Sequence, residues 1–437
     1  MFKYYVQKKL ERYVKKYFRR HPEVKLVVVT GSVGKTGTKA AIAEVLAQQY
    51  RVRMSLRNLN TEIGAPMSIL GIDMPDSLRS MGAWRRVFRI ARQRLRAQTD
   101  VDIVVQELGA DKPGDIAAFM KYLKPDIAVV AAVTPEHMEF FKNIEAVAEE
   151  EITAANAAKV AVINREDVDG EHFAQYLSNP NIYTYGDTDA AEYSFEVQDF
   201  DVAGGYKGAF LTPNGRIPVE GIHVVGQHNL RPISAAVAVG ALLEVPVDKM
   251  VAGVTKVRPV PGRMDILRGL EGATIIDDSY NSSPAAATAA LATLYSIQAP
   301  ARIAVLGDMA ELGDISAEEH KKLGELCDPA LLSWVVTVGP QSKQYLAPVA
   351  KAKGCQVASF DNALQAGAFV HKVLEPGAFV LFKGSQSGVY LEEAVKVILH
   401  STEEVNDLVR QTPEWVHIKT EFFDSFESEV DAGDDKY

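Results

Sequence analysis

The chain has 437 residues, is 47% hydrophobic and 24% charged, and carries a formal net charge of −10. This balance is typical of a folded protein with two or three domains. No run approaches the roughly 20 apolar residues of a membrane span, and no signal segment opens the chain. We therefore expect a globular cytoplasmic protein that does not span a membrane. Its acidic total charge also argues against nucleic-acid binding.

The first 20 residues carry eight lysines and arginines against a single acid. Apolar side chains recur there at helical spacing, at Phe2, Val6, Leu10, Tyr13 and Tyr17. This pattern predicts a basic amphipathic helix over residues 1–24. Its apolar face could lie on the inner surface of an anionic membrane or dock on the rest of the protein, and the sequence leaves both open.

An apolar strand at residues 26–30 leads into Gly-Ser-Val-Gly-Lys-Thr at residues 31–36. The two glycines allow backbone N–H groups to face an anion, and a helix predicted over residues 38–49 presents its positive end there. Lys35 can reach a terminal phosphate, and Thr36 can hold Mg²⁺. The glycines are closer than in the common phosphate loop, so a plain turn before a helix is the alternative.

Seven arginines follow between residues 79 and 96. Apolar residues among them form a helical stripe, at Trp84, Val87, Phe88, Ala91 and Leu95. A second basic amphipathic helix is predicted, whose cations could face lipid head groups, an anionic substrate or the acidic end of the chain.

Apolar strands then alternate with helical patterns, which is typical of a parallel α/β sheet. The strands of the first unit are predicted at residues 101–107, 127–133 and 160–164, followed by an antiparallel flap at 193–225 and a helix at 230–243. Pro259, Pro261 and Gly262 predict a hinge. The strands of the second unit are predicted at residues 274–277, 303–306, 334–338 and 379–382.

The predicted fold is α/β throughout, with a central phosphate-loop domain at residues 25–260 whose sheet is mainly parallel. A C-terminal Rossmann-like α/β domain follows at 261–400. Residues 401–437 carry eleven acids against three bases, which predicts an acidic tail that is partly disordered.

Two polar side chains fall at the ends of predicted strands, where open α/β sheets bind ligands. Glu107 ends one strand, and His137 follows the next. Together they could bind a divalent ion beside the phosphate loop, although either residue alone is more often a satisfied polar group.

A series of short motifs resembles the Mur ligase family, the ATP-dependent enzymes that add amino acids to the peptidoglycan precursor. Its phosphate loop has the same short spacing as Thr30-Gly-Ser-Val-Gly-Lys-Thr36. The other motifs follow in family order over about residues 25–395, as Asn58-Leu-Asn-Thr-Glu-Ile-Gly-Ala-Pro66, Glu107-Leu-Gly-Ala110, Gly226-Gln-His-Asn229, Gly262-Arg-Met264, Asp277-Asp-Ser-Tyr-Asn-Ser-Ser-Pro284, Leu306-Gly-Asp-Met-Ala-Glu-Leu-Gly313 and Lys383-Gly-Ser385.

The resemblance implies ATP and Mg²⁺ as cofactors and a reaction through an acyl phosphate, which an amine converts to an amide. It implies catalytic roles for Lys35, Glu107, His137 and Arg263, and Mg²⁺ ligands at Thr36, Glu107 and His137. The implied nucleotide-binding residues are Gly31, Ser32, Gly34, Lys35, Thr36, Asn229, Arg263, Asp277, Asp278, Tyr280 and Asn281. The implied substrate residues are Asn60, Thr61, Lys383 and Ser385.

Plainer roles remain open for several of these residues. Asn229 could cap the next helix, Arg263 could form a hinge salt bridge, and residues 277–281 could be a strand-end turn. Glu151 stands where many family members carry a carbamylated lysine, which implies a catalytic and Mg²⁺-binding carboxylate there. The alternative for residues 149–151 is a solvated acidic helix face.

The chain also departs from the family pattern. Gln386 stands where an arginine is common, and Gly388-Val-Tyr390 replaces a more basic run, so the implied recognition of the amine is altered. Only about 24 residues precede the first strand, so we expect the family's UDP-sugar-binding domain to be missing. The basic helices could then receive an anionic or lipid-linked precursor, or the acid substrate could be different.

The implied function is ATP-dependent ligation that adds D-alanyl-D-alanine to a muramoyl-peptide precursor, by a monomer. One alternative is a Mur-fold ligase that joins a different acid and amine. A phosphate-loop ATPase scaffold with a degenerate ligase half, and a kinase that stops at the acyl phosphate, are the alternatives from other classes.

Overall fold

The computed structural model describes residues 2–55, 57–75, 77–386 and 388–434. The chain divides into two compact units, one ending at Arg258 and the other beginning at Pro259. Among the described residues, no helix is both long enough and apolar enough to span a membrane.

The helices and strands of unit 1 alternate along most of its length. In chain order they are α1 Phe2–Arg20, β1 Lys25–Thr30, α2 Lys35–Ala47, β2 Val52–Met54, α3 Gly64–Leu70, α4 Met81–Arg96, β3 Ile103–Glu107, α5 Asp115–Met120, β4 Ile127–Val130, α6 Met138–Phe141, α7 Ile144–Ala157, β5 Val160–Asn164, α8 Gly170–Tyr176, β6 Ile182–Gly186, β7 Tyr193–Asp201, β8 Gly205–Thr212, β9 Gly215–Ile222, α9 Leu230–Leu242 and α10 Val247–Val254.

The described part of unit 1 forms a nine-stranded sheet in the order β2-β3-β1-β4-β5-β6-β7-β8-β9. The pairs from β2 to β7 are parallel, and β7 to β9 form an antiparallel meander. Side chains from alternate positions of β1 enter two hydrophobic clusters, Leu26 and Val28 on one side and Val27 and Val29 on the other. Both faces of this part of the sheet are thus covered, as is usual for parallel strands.

The helix α1 docks on unit 1 by its apolar stripe. Val6, Leu10, Val14 and Tyr17 are buried in the same cluster as Trp84 and Phe88 of α4. Arg20 donates to the carbonyl of Leu95 at 3.1 Å, which joins the two helices near their C-terminal ends. The sequence left two places open for the apolar face of the basic helix, a membrane surface and the rest of the protein. The structure shows it packed on the protein.

Unit 2 has a second α/β sheet. Its elements are β10 Asp265–Arg268, β11 Thr274–Asp278, α11 Pro284–Ser296, β12 Arg302–Gly307, α12 Ser316–Leu326, β13 Trp334–Val338, α13 Ala347–Ala352, β14 Val357–Phe360, α14 Ala363–Val373, β15 Phe379–Lys383, α15 Glu392–Ile398 and α16 Pro413–Asp434. Its described strands are ordered β10-β11-β15-β12-β13-β14, and β10 alone among them is antiparallel to its neighbour.

The segment predicted as an acidic tail is structured over much of its length. Residues 402–407 form a 3₁₀ turn, and α16 carries Lys419, which is 3% exposed and pairs with Glu392 of α15. The prediction of a partly disordered tail rested on the excess of acidic residues and did not include the burial of Lys419. The end of the predicted tail, residues 435–437, lies outside the described residues.

Candidate functional site

The loop between β1 and α2 turns through two glycines with positive φ angles, 129° at Gly31 and 79° at Gly34. A Cβ atom at Gly31 would lie 2.7 Å from the backbone nitrogen of Ala132, so a side chain has no room there. The helix α2 begins at Lys35, three residues earlier than predicted. Its positive N-terminal end therefore lies directly at the loop, as an anion site requires.

Lys35 lies within this loop. Its ammonium donates to the carbonyl oxygens of Gly31 and, at 2.8 Å, Ser32. The carboxylate of Glu136 lies 3.5 Å away. The contact of this ammonium with a terminal phosphate stays a prediction.

Glu107 joins the side chains around the loop. One carboxylate oxygen accepts from Thr36 Oγ1 at 3.0 Å and lies 3.1 Å from Lys39 Nζ, while the other accepts from Asn60 Nδ2 at 3.1 Å. The side chains of Lys39 and Glu107, which form an ion pair, are each 3% exposed. The structure thus brings together the predicted residues Thr36, Glu107 and Asn60, and adds Lys39, which sequence reasoning missed.

Glu151 supports the loop from α7. Its carboxylate accepts from the backbone N–H of Gly31 at 2.6 Å, and its carbonyl accepts from Thr30 Oγ1 at 2.9 Å. It is 2% exposed, and burial raises its pKa to about 7. The solvated-face alternative is therefore wrong for Glu151 and also for Glu150, whose carboxylate binds the N–H groups of Gly114 and Ile116. The Gly31 N–H bonds the carboxylate of Glu151 in the structure, and the predicted contact of Gly31 with a nucleotide phosphate stays a prediction.

His137 occupies a left-handed backbone position, with φ at 51°, just before α6. Its Nε2 lies 3.9 Å from carboxylate oxygens of Asp111 and Glu136. Glu136 therefore stands between His137 and Lys35, a role that the sequence did not suggest. The expected sharing of one ion by Glu107 and His137 stays a prediction.

The donors beside the loop fit Mg²⁺. Among the described residues, no three His, Cys, Asp or Glu side chains form a cluster able to hold a metal. Mg²⁺ does not require one, because it commonly takes one or two protein oxygens and completes its shell with phosphate and water. The Thr36 hydroxyl and Glu107 carboxylate, 3.0 Å apart, supply two such hard donors.

Three other predicted residues of unit 1 make local contacts. The Ser32 hydroxyl bonds that of Thr134 at 2.8 Å, which joins the loop to the strand end after β4. Thr61 Oγ1 accepts from the Gly64 N–H at the start of α3. Asn229 precedes α9 without capping it through its side chain, which donates to the Val225 carbonyl at 2.7 Å. The helix-cap alternative for Asn229 is therefore wrong.

In unit 2, the loop after β11 is held by a buried lysine. Lys383 Nζ pairs with Asp278 at 2.8 Å and donates to the Asn281 carbonyl at 2.6 Å. The Asp277 carboxylate is 1% exposed, and burial raises its pKa to about 7. One of its oxygens accepts from the Ser279 N–H, as in a strand-end turn, while Oδ2 has no hydrogen-bond partner among the described residues.

The other predicted residues of unit 2 lie around the same strand ends. The Arg263 guanidinium lies 4.3 Å from the ring centroid of Tyr280, a cation–π contact. Ser385 is fully buried, and its hydroxyl accepts from the Ala310 N–H at 2.8 Å. Ser385 thus joins two strand-end loops, and its predicted contact with substrate stays a prediction.

Comparison with known proteins identifies both units. Residues 29–240 match the Mur ligase middle domain, and residues 262–386 match the Mur ligase glutamate ligase domain. The chain belongs to the Mur ligase family. The predicted family, α/β fold and ligase class are confirmed, and the spacing objection to the phosphate loop falls away.

Two relatives carry the name UDP-N-acetylmuramoyl-tripeptide–D-alanyl-D-alanine ligase. The protein from Bacillus subtilis is 29% identical over 389 residues, covering 86% of this chain and 76% of the relative. The protein from Escherichia coli is 28% identical over 328 residues, covering 74% of this chain and 66% of the relative.

Solved structures share the fold. MurF from Acinetobacter baumannii has a TM-score of 0.71 at 24% identity, covering 88% of this chain and 79% of that one. MurF from Thermotoga maritima, solved in complex with ADP, has a TM-score of 0.72 at 23% identity, covering 90% of this chain and 83% of that one.

Proposed function

We propose that this Mur ligase uses ATP to join the carboxylate of a peptide precursor to an amine. The observation that carries the proposal is the cluster of Lys35, Thr36 and Glu107 at the phosphate loop, within the matched Mur ligase middle domain. A phosphate-binding loop with a buried acid beside its hydroxyl supplies what phosphoryl transfer requires, namely positioning and charge neutralisation.

In the proposed reaction, a carboxylate oxygen of the acid attacks the γ-phosphorus of ATP, and ADP leaves. The amine then attacks the acyl carbon, and phosphate leaves, so the products are amide, ADP, phosphate and a proton. Lys35 neutralises the charge that develops on the transferred phosphoryl group. Glu136 and Glu151 set the position of that ammonium and of the loop, respectively.

Mg²⁺ is proposed at Thr36 and Glu107, with His137 as a further ligand. Bound there, the ion would neutralise phosphate charge and polarise the transferred group. Lys39 holds the same oxygen of Glu107 that faces Thr36, so it fixes the orientation of the carboxylate that would receive the ion.

The nucleotide contacts that the family resemblance implies in unit 2 are kept as proposals. Asp277 or Asp278, together with Tyr280 and Asn281, would meet the nucleoside side, and Arg263 would meet a phosphate. The buried Asp277 oxygen without a described partner supports this assignment, because such an atom is costly unless a ligand or water satisfies it.

For substrates, we propose a muramoyl-peptide acid and D-alanyl-D-alanine, as named for the relatives from Bacillus subtilis and Escherichia coli. The acid can be carried on UDP or on a lipid, and both are anionic. ATP and such precursors place the proposed reaction in the cytoplasm. A ligase that joins a different acid and amine is the second candidate.

We also propose contact with the anionic inner face of the membrane, through the outer faces of α1 and α4. Both helices carry exposed cations, arginines on α4 and arginines and lysines on α1, and Tyr4, Tyr5, Leu78 and Met81 are exposed apolar side chains of the same two segments. Tyr5 and Phe88 lie 6.5 Å apart between ring centroids, so the first turns of α1 lie against α4. Cations beside tyrosine, leucine and methionine suit a lipid interface, whereas nucleic acid offers the aliphatic groups no partner.

Vesicle co-sedimentation tests this membrane contact. Vesicles rich in phosphatidylglycerol should sediment the protein at low salt, neutral vesicles should not, and a triple Arg85→Glu, Arg89→Glu and Arg92→Glu variant should lose binding. Equal binding by that variant, or binding to RNA but not to anionic vesicles, would refute the proposal.

The ligase proposal is tested by phosphate release from ATP and Mg²⁺. The acid, UDP-muramoyl-tripeptide, and the amine, D-alanyl-D-alanine, are added singly and together, and the amide is sought by mass spectrometry. Release that requires both, with the amide formed, supports the proposal. Turnover with neither present would favour an ATPase scaffold, and phosphate transfer that needs no amine would favour a kinase.

A further inference from the structure

Arg410 is a buried cation in the segment between α15 and α16. It is 8% exposed, and its Nε and Nη2 donate to the two carboxylate oxygens of Glu392 at 2.8 and 2.6 Å. The same guanidinium donates to the carbonyl oxygens of Ser279 at 2.8 Å and Tyr280 at 3.0 Å. One side chain thus joins α15 to the loop after β11.

The geometry of Arg410 indicates that these contacts determine its conformation. Its φ angle is 57°, a left-handed value that is unfavourable for a side chain of this size. Glu392 is fully buried, and Lys419 is a second cation on one of its oxygens, at 3.2 Å. A buried carboxylate requires such compensation. The planar guanidinium adds what an ammonium lacks, because it can bind a carboxylate and two carbonyls at once.

The loop that Arg410 binds is the one proposed to meet the nucleotide. Lys383 holds it at Asp278 and Asn281, and Arg410 holds the two residues between them, Ser279 and Tyr280. The Tyr280 N–H also donates to the Gly262 carbonyl at 3.0 Å. Each of the four residues from Asp278 to Asn281 therefore contacts a buried cation, either Lys383 or Arg410.

We propose that Arg410 is a positioning residue, which presets the backbone of Ser279 and Tyr280 for nucleotide binding. The proposal rests on the proposed function, in which this loop contacts the nucleotide. Arg410 lies beyond residue 386, where the match to the ligase domain ends, in the segment whose composition predicted a tail. Preset loops bind more tightly because the cost of ordering is met before the ligand arrives.

The test compares Arg410→Lys with Lys419→Met in the full chain. Arg410→Lys keeps a cation for Glu392 but cannot also bind both carbonyls. Lys419→Met removes a cation from the same carboxylate without touching the loop, so it controls for general loss of stability. Two readouts are taken, the exchange of backbone amides in residues 277–283 without ligand, and the Kd for ADP with Mg²⁺.

For Arg410→Lys we expect faster exchange in residues 277–283 and a Kd for ADP raised on the order of tenfold, the effect of losing one charge-assisted hydrogen bond. Turnover should show a raised KM for ATP with a smaller change in kcat. Lys419→Met should lower the unfolding temperature and leave both loop readouts at the wild-type value.

Wild-type exchange and Kd in Arg410→Lys would overturn the proposal, as would equal changes in the two variants. If the wild-type protein does not bind ADP, the proposed function fails instead, and the exchange measurement still decides whether Arg410 orders the loop.

Discussion

Glu151 is a buried acid whose ionisation should make folding depend on pH. Burial raises its pKa to about 7, despite the nearby Lys35 ammonium and the hydrogen bond from the Gly31 N–H. In the unfolded chain the pKa is near its ordinary value of about 4.3. Because the folded pKa is the higher one, the protonated acid favours folding, and this contribution is lost as the pH rises from about 4 to about 7.

The size of the effect follows from the two pKa values. Each unit of difference corresponds to about 1.4 kcal/mol, so ionising Glu151 in the folded protein costs on the order of 4 kcal/mol. Glu151→Gln removes the ionisation and retains an oxygen that can accept from the Gly31 N–H. The variant should match the wild type near pH 4 and exceed its unfolding free energy by roughly that amount near pH 8.

The assay is urea unfolding without nucleotide. The readout is hydrogen exchange of the backbone amides in β1, so that the unfolding of unit 1 is measured separately. Glu149→Gln is the matched control, because Glu149 is an exposed neighbour on the same helix. A difference in unfolding free energy between Glu151→Gln and the wild type that stays constant with pH would refute the reasoning. The reasoning would also be refuted if Glu149→Gln gained as much stability between about pH 4 and about pH 8 as Glu151→Gln.

Two further variants test the phosphate loop. Lys35→Ala should remain folded and lose ATP-dependent turnover by on the order of a hundredfold or more, because transition-state charge is no longer neutralised; full activity would remove Lys35 from the mechanism. Gly31→Ala should lower stability by about 2 kcal/mol and weaken ADP binding, since φ at this position is 129° and the added Cβ meets Ala132. Gly170→Ala, whose Cβ would have open space, is its control, and equal thermal shifts in the two variants would contradict the prediction.

The sequence predicted features that depend on local pattern. The strand before Gly31, the glycines and the following helix are contiguous, so the phosphate loop could be found without long-range information. Glu107 could be placed because carboxyl ends of parallel strands share one edge of a sheet. The start of α4 was predicted less accurately. The arginine run suggested a start near residue 79, whereas Ser80 caps the helix and the helix begins at Met81.

Residues whose roles depend on distant partners were missed. Lys39 was not singled out from the sequence, because its burial depends on Glu107, 68 positions away along the printed sequence. Arg410 lies in a polar segment whose composition suggested disorder, and its partners Ser279 and Tyr280 are far earlier in the chain. The hydrogen bond that the buried Ser385 hydroxyl accepts from the Ala310 N–H also depends on a partner distant in the chain.

The central claim is that the acid becomes an acyl phosphate before the amide forms. The most direct test uses UDP-muramoyl-tripeptide whose reacting carboxylate carries heavy oxygen, together with ATP, Mg²⁺ and D-alanyl-D-alanine. The account predicts that one heavy oxygen appears in the released phosphate and one stays in the amide. Amide formed with unlabelled phosphate, or phosphate released unlabelled with no amide, would contradict it.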